Sequence, residues 1–139
     1  MSTDGINWSR LNNGNPIIVP QTGILYGAGH PSIIYLGGYF YLSYDDTTGA
    51  NFGVYALRSQ DPTFQSGVQE WRNGSWYTLS SAPTTQYPFL TTATNTDWAY
   101  SPALREFIVA IDGKGERLSG DVADRGTHVS IRRFNQSLT

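Results

Sequence analysis

The sequence contains no cysteine, so it can form neither a disulfide framework nor a thiolate metal site. Its two histidines, His30 and His128, lie far apart and lack the spacing of zinc ligands. The glycine-rich stretch 27–29 lacks the lysine and the following helix that a phosphate-binding loop requires. The sequence therefore predicts no metal and no cofactor.

Charge is also scarce, and its two signs nearly balance. Asp, Glu, Lys and Arg make up 14% of the chain, against about 25% in an average soluble protein. Nine basic and eleven acidic residues give a formal net charge of −2. Nucleic acids and anionic membranes are bound through a positive field, which this composition does not supply. We therefore expect no nucleic acid and no membrane as a partner.

Long apolar runs are missing as well. The longest, 33–36 and 107–111, have the length of a strand and not of a membrane-spanning helix. The N-terminal residues are polar and do not form the apolar stretch of a signal peptide. The sequence as it stands predicts a cytoplasmic protein, or a secreted one if a signal peptide has been removed.

The sequence is instead rich in β-branched and aromatic residues separated by turn signals. Segments 31–36 and 39–44 are joined by Gly37-Gly38, which predicts a tight β-hairpin. Segment 52–59 predicts a third strand, and 71–79, with a turn at Asn73-Gly74, predicts a fourth. An earlier short strand is expected over 16–20, where it is closed by a proline.

After a Thr- and Pro-rich connector over 80–95, the pattern starts again. Strands are predicted at 101–104, 107–111 and 128–132. The two copies align at three pairs of positions: Pro31 with Pro102, Asp45 with Asp112, and Leu57 with Ile131. Radially repeated four-stranded antiparallel sheets form a β-propeller. A short helix over 101–111 is the alternative, because Pro102 suits a helix start.

We therefore predict an all-β, propeller-like unit of about two to two and a half antiparallel four-stranded blades. Residues 1–25 would end one blade, 26–80 would form a complete blade, and 96–139 would form most of a further blade. Half of a ring leaves strand edges and apolar faces uncovered. The chain is then a fragment of a larger propeller, one half of a homodimer, or a small sandwich that closes on itself.

Two motifs carry a family resemblance. Segment 26–45 has a proline, a strand, a glycine turn and an aromatic-rich strand ending in an acid, and 2–8 matches Ser-x-Asp-Gly-x-x-Trp, with an echo at 59–61. In these features the chain resembles about half of a five-bladed β-propeller glycoside hydrolase, of the arabinanase and xylosidase type that includes glycoside hydrolase family 43. The resemblance implies an oligosaccharide or polysaccharide as ligand.

The same resemblance implies three catalytic carboxylates on the first strands of successive blades. The base would lie upstream of this chain, the orienting aspartate would stand at Ser32, and the general acid would stand at Tyr100. Because this set is incomplete, we predict a carbohydrate-binding or glycosidase-like unit that binds sugar and does not cleave it. A non-enzymatic scaffold or protein-interaction module is the alternative function.

Five residues are candidates for the site. Asp97 is the candidate catalytic acid if the alignment shifts by a few residues, and a turn residue otherwise. His30 and Ser32 lie at the predicted pocket end of a first strand, where they can hydrogen-bond to sugar hydroxyls. Trp98 and Tyr100 offer aromatic faces on which sugar rings stack, although core packing competes with that role.

Four other aspartates are given structural roles. We expect Asp45 and Asp46 to be solvated acids at the start of a loop, with their side chains on opposite faces of the strand. Asp4 and Asp61 are expected to organise turns.

Overall fold

The computed structural model describes residues 2–18, 28–46, 53–80, 87–91, 93–113, 128–135 and 138. Across these residues the protein is all-β with antiparallel pairing, as predicted. The described strands are β1 Ala28–Leu36, β2 Tyr39–Asp46, β3 Gly53–Ser59, β4 Gln69–Arg72, β5 Ser75–Thr78, β6 Leu90–Thr91, β7 Ala93–Ser101, β8 Glu106–Gly113 and β9 His128–Phe134. The only helical element among them is a 3-10 turn at Asn12–Gly14, and no helix in the described part could cross a membrane.

The strands form two sheets. Sheet A has the order β1-β2-β3-β4-β5, with β6 paired to β3, and sheet B has the order β7-β8-β9. The Gly37-Gly38 hairpin is confirmed between β1 and β2, with φ angles of 58° and 85°. Both angles lie in the left-handed region that glycine adopts without strain. The predicted third strand is confirmed as β3.

Two predicted strands differ from the structure. Segment 71–79 does not form one strand, because the turn at Asn73-Gly74 divides it into β4 and β5, which pair with each other. Residues 16–18 are not in a strand, and 19–20 lie outside the described residues. Proline at position 16 has no N–H to donate to a sheet.

The second copy of the pattern begins earlier than predicted. The strand expected over 101–104 is wrong, because Ser101 ends β7 and Pro102 lies in the turn before β8. The alternative helix over 101–111 is wrong for the same reason. The alignment of Pro31 with Pro102 therefore fails, since Pro31 lies inside β1.

The two sheets pack face to face. The inner face of sheet A carries Tyr41, whose ring lies 5.1 Å from that of Phe107 and 6.3 Å from that of Trp98 on the inner face of sheet B. The other residues buried in this cluster are Val54, Ala56, Phe89, Leu90, Val109, Ile111 and Leu138. The outer face of sheet A has its own core of Leu42, Tyr44, Tyr55, Leu57 and Phe64.

Candidate functional site

The first strands of the two sheets, β1 and β7, lie side by side, and each is interrupted by a bulge. In β1 the bulge falls between Gly29 and Ser32 and contains His30, with a φ of 47°. In β7 it contains Asn95, with a φ of 49°. Positive φ is uncommon outside glycine, and bulges redirect side chains at functional edges.

Because the bulges stand at matching places, the β1–β2 hairpin and the β7–β8 hairpin can be aligned residue by residue. The matching cross-strand pairs are Gly29–Asp45 with Thr94–Asp112, and Ser32–Ser43 with Asp97–Ala110. Ser32 and Asp97 therefore occupy the same position in the two copies, 65 residues apart. The predicted alignment of Asp45 with Asp112 fits this register.

Ser32 and Asp97 are in direct contact. The Ser32 hydroxyl donates a hydrogen bond of 2.6 Å to Asp97 Oδ1. The Trp98 backbone N–H approaches Ser32 Oγ at 3.4 Å, and the indole N–H donates to the Ser32 carbonyl at 3.1 Å. Asp97 is exposed to solvent and Ser32 is half-buried. Two predicted site residues from different sheets thus form one polar group at the surface.

His30 and Asp45 form a second polar pair on the same strand edge. His30 Nδ1 lies 2.9 Å from Asp45 Oδ2, and the Asn95 N–H lies 3.5 Å from the same oxygen. The His30 side chain is largely exposed while Asp45 is buried. The expectation that Asp45 is a solvated loop acid is wrong, because its carboxylate contacts both bulges. Asp45 and Asn95 are thus site residues that the sequence did not identify.

The rings of the two aromatic candidates face the core and not the surface of the site. The Trp98 ring is buried and stacks on Phe107 at 5.3 Å. The half-buried Tyr100 ring meets Phe107 edge-on, on the inner face of sheet B and away from Asp97. Stacking of these rings on a sugar stays a prediction. In the structure, Trp98 positions Ser32 through its two N–H groups.

A second polar cluster is buried in the outer face of sheet A. Asp46 points to this face, opposite to Asp45 as predicted, but it is buried, so a solvated Asp46 is also wrong. Burial raises the pKa of the Glu70 carboxyl, although Arg72 at 2.7 Å lowers it in part. Burial also raises the pKa of Tyr44, and it raises that of Tyr55 to about 12. These groups lie within the sheet and do not reach the β1–β7 edge.

Asp4 and Asp61 organise turns, as predicted. Asp4 Oδ1 accepts from the N–H groups of Ile6 and Asn7 at 2.8 Å each. Asp61 Oδ1 accepts from the hydroxyl and the N–H of Thr63, and these bonds lower the pKa of Asp61 to about 2. Both carboxylates are therefore used by their own turns.

Among the residues that the structure describes, the β1–β7 edge presents hydrogen-bonding groups and no metal site. Within the described ranges, no three His, Cys, Asp or Glu side chains are grouped so as to hold a metal ion. The exposed carboxylate of Asp97 accepts hydrogen bonds, and the Ser32 hydroxyl both donates and accepts. Because His30 Nδ1 donates to the Asp45 carboxylate, Nε2 of the neutral imidazole is an acceptor. Comparison with protein-family models, curated proteins and solved structures finds no match to this chain.

Proposed function

We propose that the protein binds a neutral oligosaccharide at the β1–β7 edge, as a carbohydrate-binding unit of the propeller-glycosidase type. The observation that carries the proposal is the 2.6 Å contact between Ser32 and Asp97, which joins the two sheets at equivalent positions. The exposed His30 imidazole lies two residues from Ser32 on the same strand.

The chemistry of this edge suits a sugar. A sugar offers many hydroxyl groups, each of which donates one hydrogen bond and accepts others. An exposed carboxylate such as Asp97 accepts from two neighbouring hydroxyls in strong, charge-assisted bonds. The nearly balanced charge of the chain favours a neutral ligand over a polyanion.

The repeat supports a propeller-like arrangement. In a propeller, the first strands of all blades lie around one centre, so that equivalent positions approach each other. Ser32 and Asp97 are equivalent and in contact, which is the relation expected of two adjacent blades. The family resemblance leads to the same arrangement.

The arrangement of the carboxylates favours binding without cleavage. Inverting glycosidases need two carboxyl groups about 6.5 to 9.5 Å apart, with a water between one of them and the sugar. Asp97 stands beside a serine, and the buried Asp45 is held by His30 and Asn95. In the described part of the chain, Asp97 is the only carboxylate exposed at this edge.

Calorimetric titration with arabino- and xylo-oligosaccharides tests the proposal. We expect Asp97→Asn and Ser32→Ala each to weaken binding roughly tenfold, because each removes a ligand-facing hydrogen-bonding group. Glu106→Gln is the matched control, since it neutralises a carboxylate of the same sheet that is paired with Arg133 at the hairpin end. Its affinity should equal that of the wild type.

Three results would contradict the proposal. Equal sugar affinity in wild type, Asp97→Asn and Ser32→Ala would place the ligand elsewhere. Release of reducing sugar from arabinan by the purified chain, lost in Asp97→Asn, would make the protein an enzyme. Absence of sugar binding would favour the interaction module, a function that the exposed apolar faces of both sheets also fit.

A further inference from the structure

In the described part of the chain, the outer face of sheet B carries uncovered apolar side chains, with the Glu106–Arg133 ion pair on the same face at the hairpin end. Val129 and Ile131 on β9 are 75% and 63% exposed. Ile131 pairs with Ala110, and Ala110 pairs with Asp97, so these three side chains share the outer face. Ala99 and Ile108, one pair further along, extend it. Exposed apolar faces of this kind mark interaction surfaces.

Because the β1–β2 and β7–β8 hairpins are equivalent, each face of sheet B corresponds to one face of sheet A. The outer face of sheet B matches the inner face of sheet A at these pairs: Asp97 with Ser32, Ala99 with Ile34, Ile108 with Tyr41, and Ala110 with Ser43. The inner face of sheet B matches the outer face of sheet A at these: Trp98 with Ile33, Tyr100 with Tyr35, Phe107 with Phe40, and Val109 with Leu42. The packing inside the molecule is therefore head-to-tail.

A head-to-tail contact joins two different faces of the repeated hairpin. One face of sheet A and one face of sheet B are therefore left without a partner. The free counterpart of the outer face of sheet B is the outer face of sheet A. Its centre is covered by Phe64, Ile18, Val68 and Leu79. Only its β1 margin is open in the described residues, with Ile33 and Tyr35 56% and 64% exposed. The β1 margin is thus the part of this face that remains free to repeat the contact that the molecule makes once internally.

We propose that a second copy of this chain docks here, with the outer face of sheet B on the β1 margin of the other copy. A twofold axis makes the contact twice, because each copy offers both faces, and this closes the pair. By analogy with the internal contact, Asp97 would then lie near Ser32 of the second copy as well as its own Ser32. The pair of contacts would need to bury roughly 1,200 to 2,000 Å² to be stable.

Sedimentation equilibrium without sugar tests the association, so its outcome is independent of the proposed function. Over about a hundredfold range of concentration, we expect the mass to rise from 15.4 kDa towards twice that value. Ile131→Lys and Ile33→Glu should each remain monomeric, because each variant places a charge in both contacts. Leu104→Lys, at an exposed turn position outside both faces, should behave as wild type.

Mixing the two monomeric variants tests the head-to-tail geometry. A mixed dimer has one wild-type contact and one contact that joins the new lysine to the new glutamate, so the mixture should regain the dimer mass. Circular dichroism and thermal melting would verify that each variant is folded. A constant mass of 15.4 kDa for the wild type, a dimer in either single variant, or a mixture of folded variants that stays monomeric would overturn the proposal.

Discussion

At the scale of residues, the environments of the aspartates differ according to where the backbone places them. Asp97 is exposed on a strand edge, Asp45 is buried between two bulges, and Asp61 accepts several hydrogen bonds within its own turn. Only an exposed carboxylate with free acceptor capacity can bind a ligand. For this reason the proposed ligand contact is Asp97 and not its better-satisfied neighbours.

These differences were only partly predictable from the sequence. The turn role of Asp61 depends on residues within five positions of it, so the local sequence contains the needed information. The burial of Asp45 depends on Asn95, 50 residues away, and on a bulge that no local signal marks. Contacts of that kind follow from how the sheets pack, which a single sequence does not specify.

Glu70 provides a pH-dependent prediction at this scale. Burial raises its pKa above the ordinary 4.5, so the folded protein keeps this proton at pH values where the unfolded chain has lost it. Stability therefore falls as the pH rises from the ordinary value through the folded pKa. Glu70→Gln removes the ionisation and should flatten this decline, so that the stability of the variant relative to wild type increases as the pH rises above 4.5.

Urea unfolding of both proteins at a series of pH values measures this difference. Leu104→Ala, which truncates an exposed side chain that does not ionise, is the control and should follow the wild-type pH dependence. Parallel curves for wild type and Glu70→Gln at all pH values would show that Glu70 ionises as readily in the folded state as in the unfolded state.

At the scale of elements, local turn chemistry was predictable and strand position was not. Gly37-Gly38 and Asn73-Gly74 both form tight turns with positive φ, as their dipeptides predict. The sequence did not predict β7, because Trp98 and Tyr100 are its only large apolar residues and its apolar pattern is therefore weak. Its alternation is nevertheless real, since Thr96 and Trp98 point inward and are buried.

The pairing of β3 with β6 gives a prediction about Gly53. A Cβ at this position would collide with the carbonyl oxygen of Leu90 and would lie 2.8 Å from Pro88 Cβ. Gly53→Ala should therefore push β6 away and disrupt the 2.6 Å bond from the Phe89 N–H to the Val54 carbonyl. We expect a loss of about 1 to 3 kcal/mol in the free energy of unfolding, as for overpacked sites.

Chemical denaturation measures this loss, and Gly29→Ala is the matched control. Gly29 is also a strand glycine, and an added Cβ there makes only an ordinary contact of 3.4 Å with Asp45 Oδ1. Its effect should stay within about 0.5 kcal/mol. Equal stabilities of the two variants would mean that β6 accommodates the methyl group at no cost.

At the scale of the whole molecule, one aromatic cluster holds the two sheets together. Tyr41 of sheet A packs against Trp98 and Phe107 of sheet B, and Phe89, next to β6, packs against Trp71 and Phe134. The abundance of aromatic residues predicted a real core. Which rings meet across the sheets was not predictable, because it depends on the bulges that set the register of β1 and β7.

Phe107 is central to this cluster, since it is fully buried and contacts the rings of Tyr41, Trp98 and Tyr100. Phe107→Ala should cost about 3 to 5 kcal/mol, a large part of the roughly 5 to 15 kcal/mol that stabilises a typical domain. Because both sheets share the cluster, tryptophan fluorescence and far-ultraviolet circular dichroism should shift to the same lower denaturant midpoint. Leu104→Ala, which truncates an exposed side chain, should leave the midpoint unchanged. Separate transitions for the two probes in wild type would show that the sheets unfold independently, and that the cluster does not couple them.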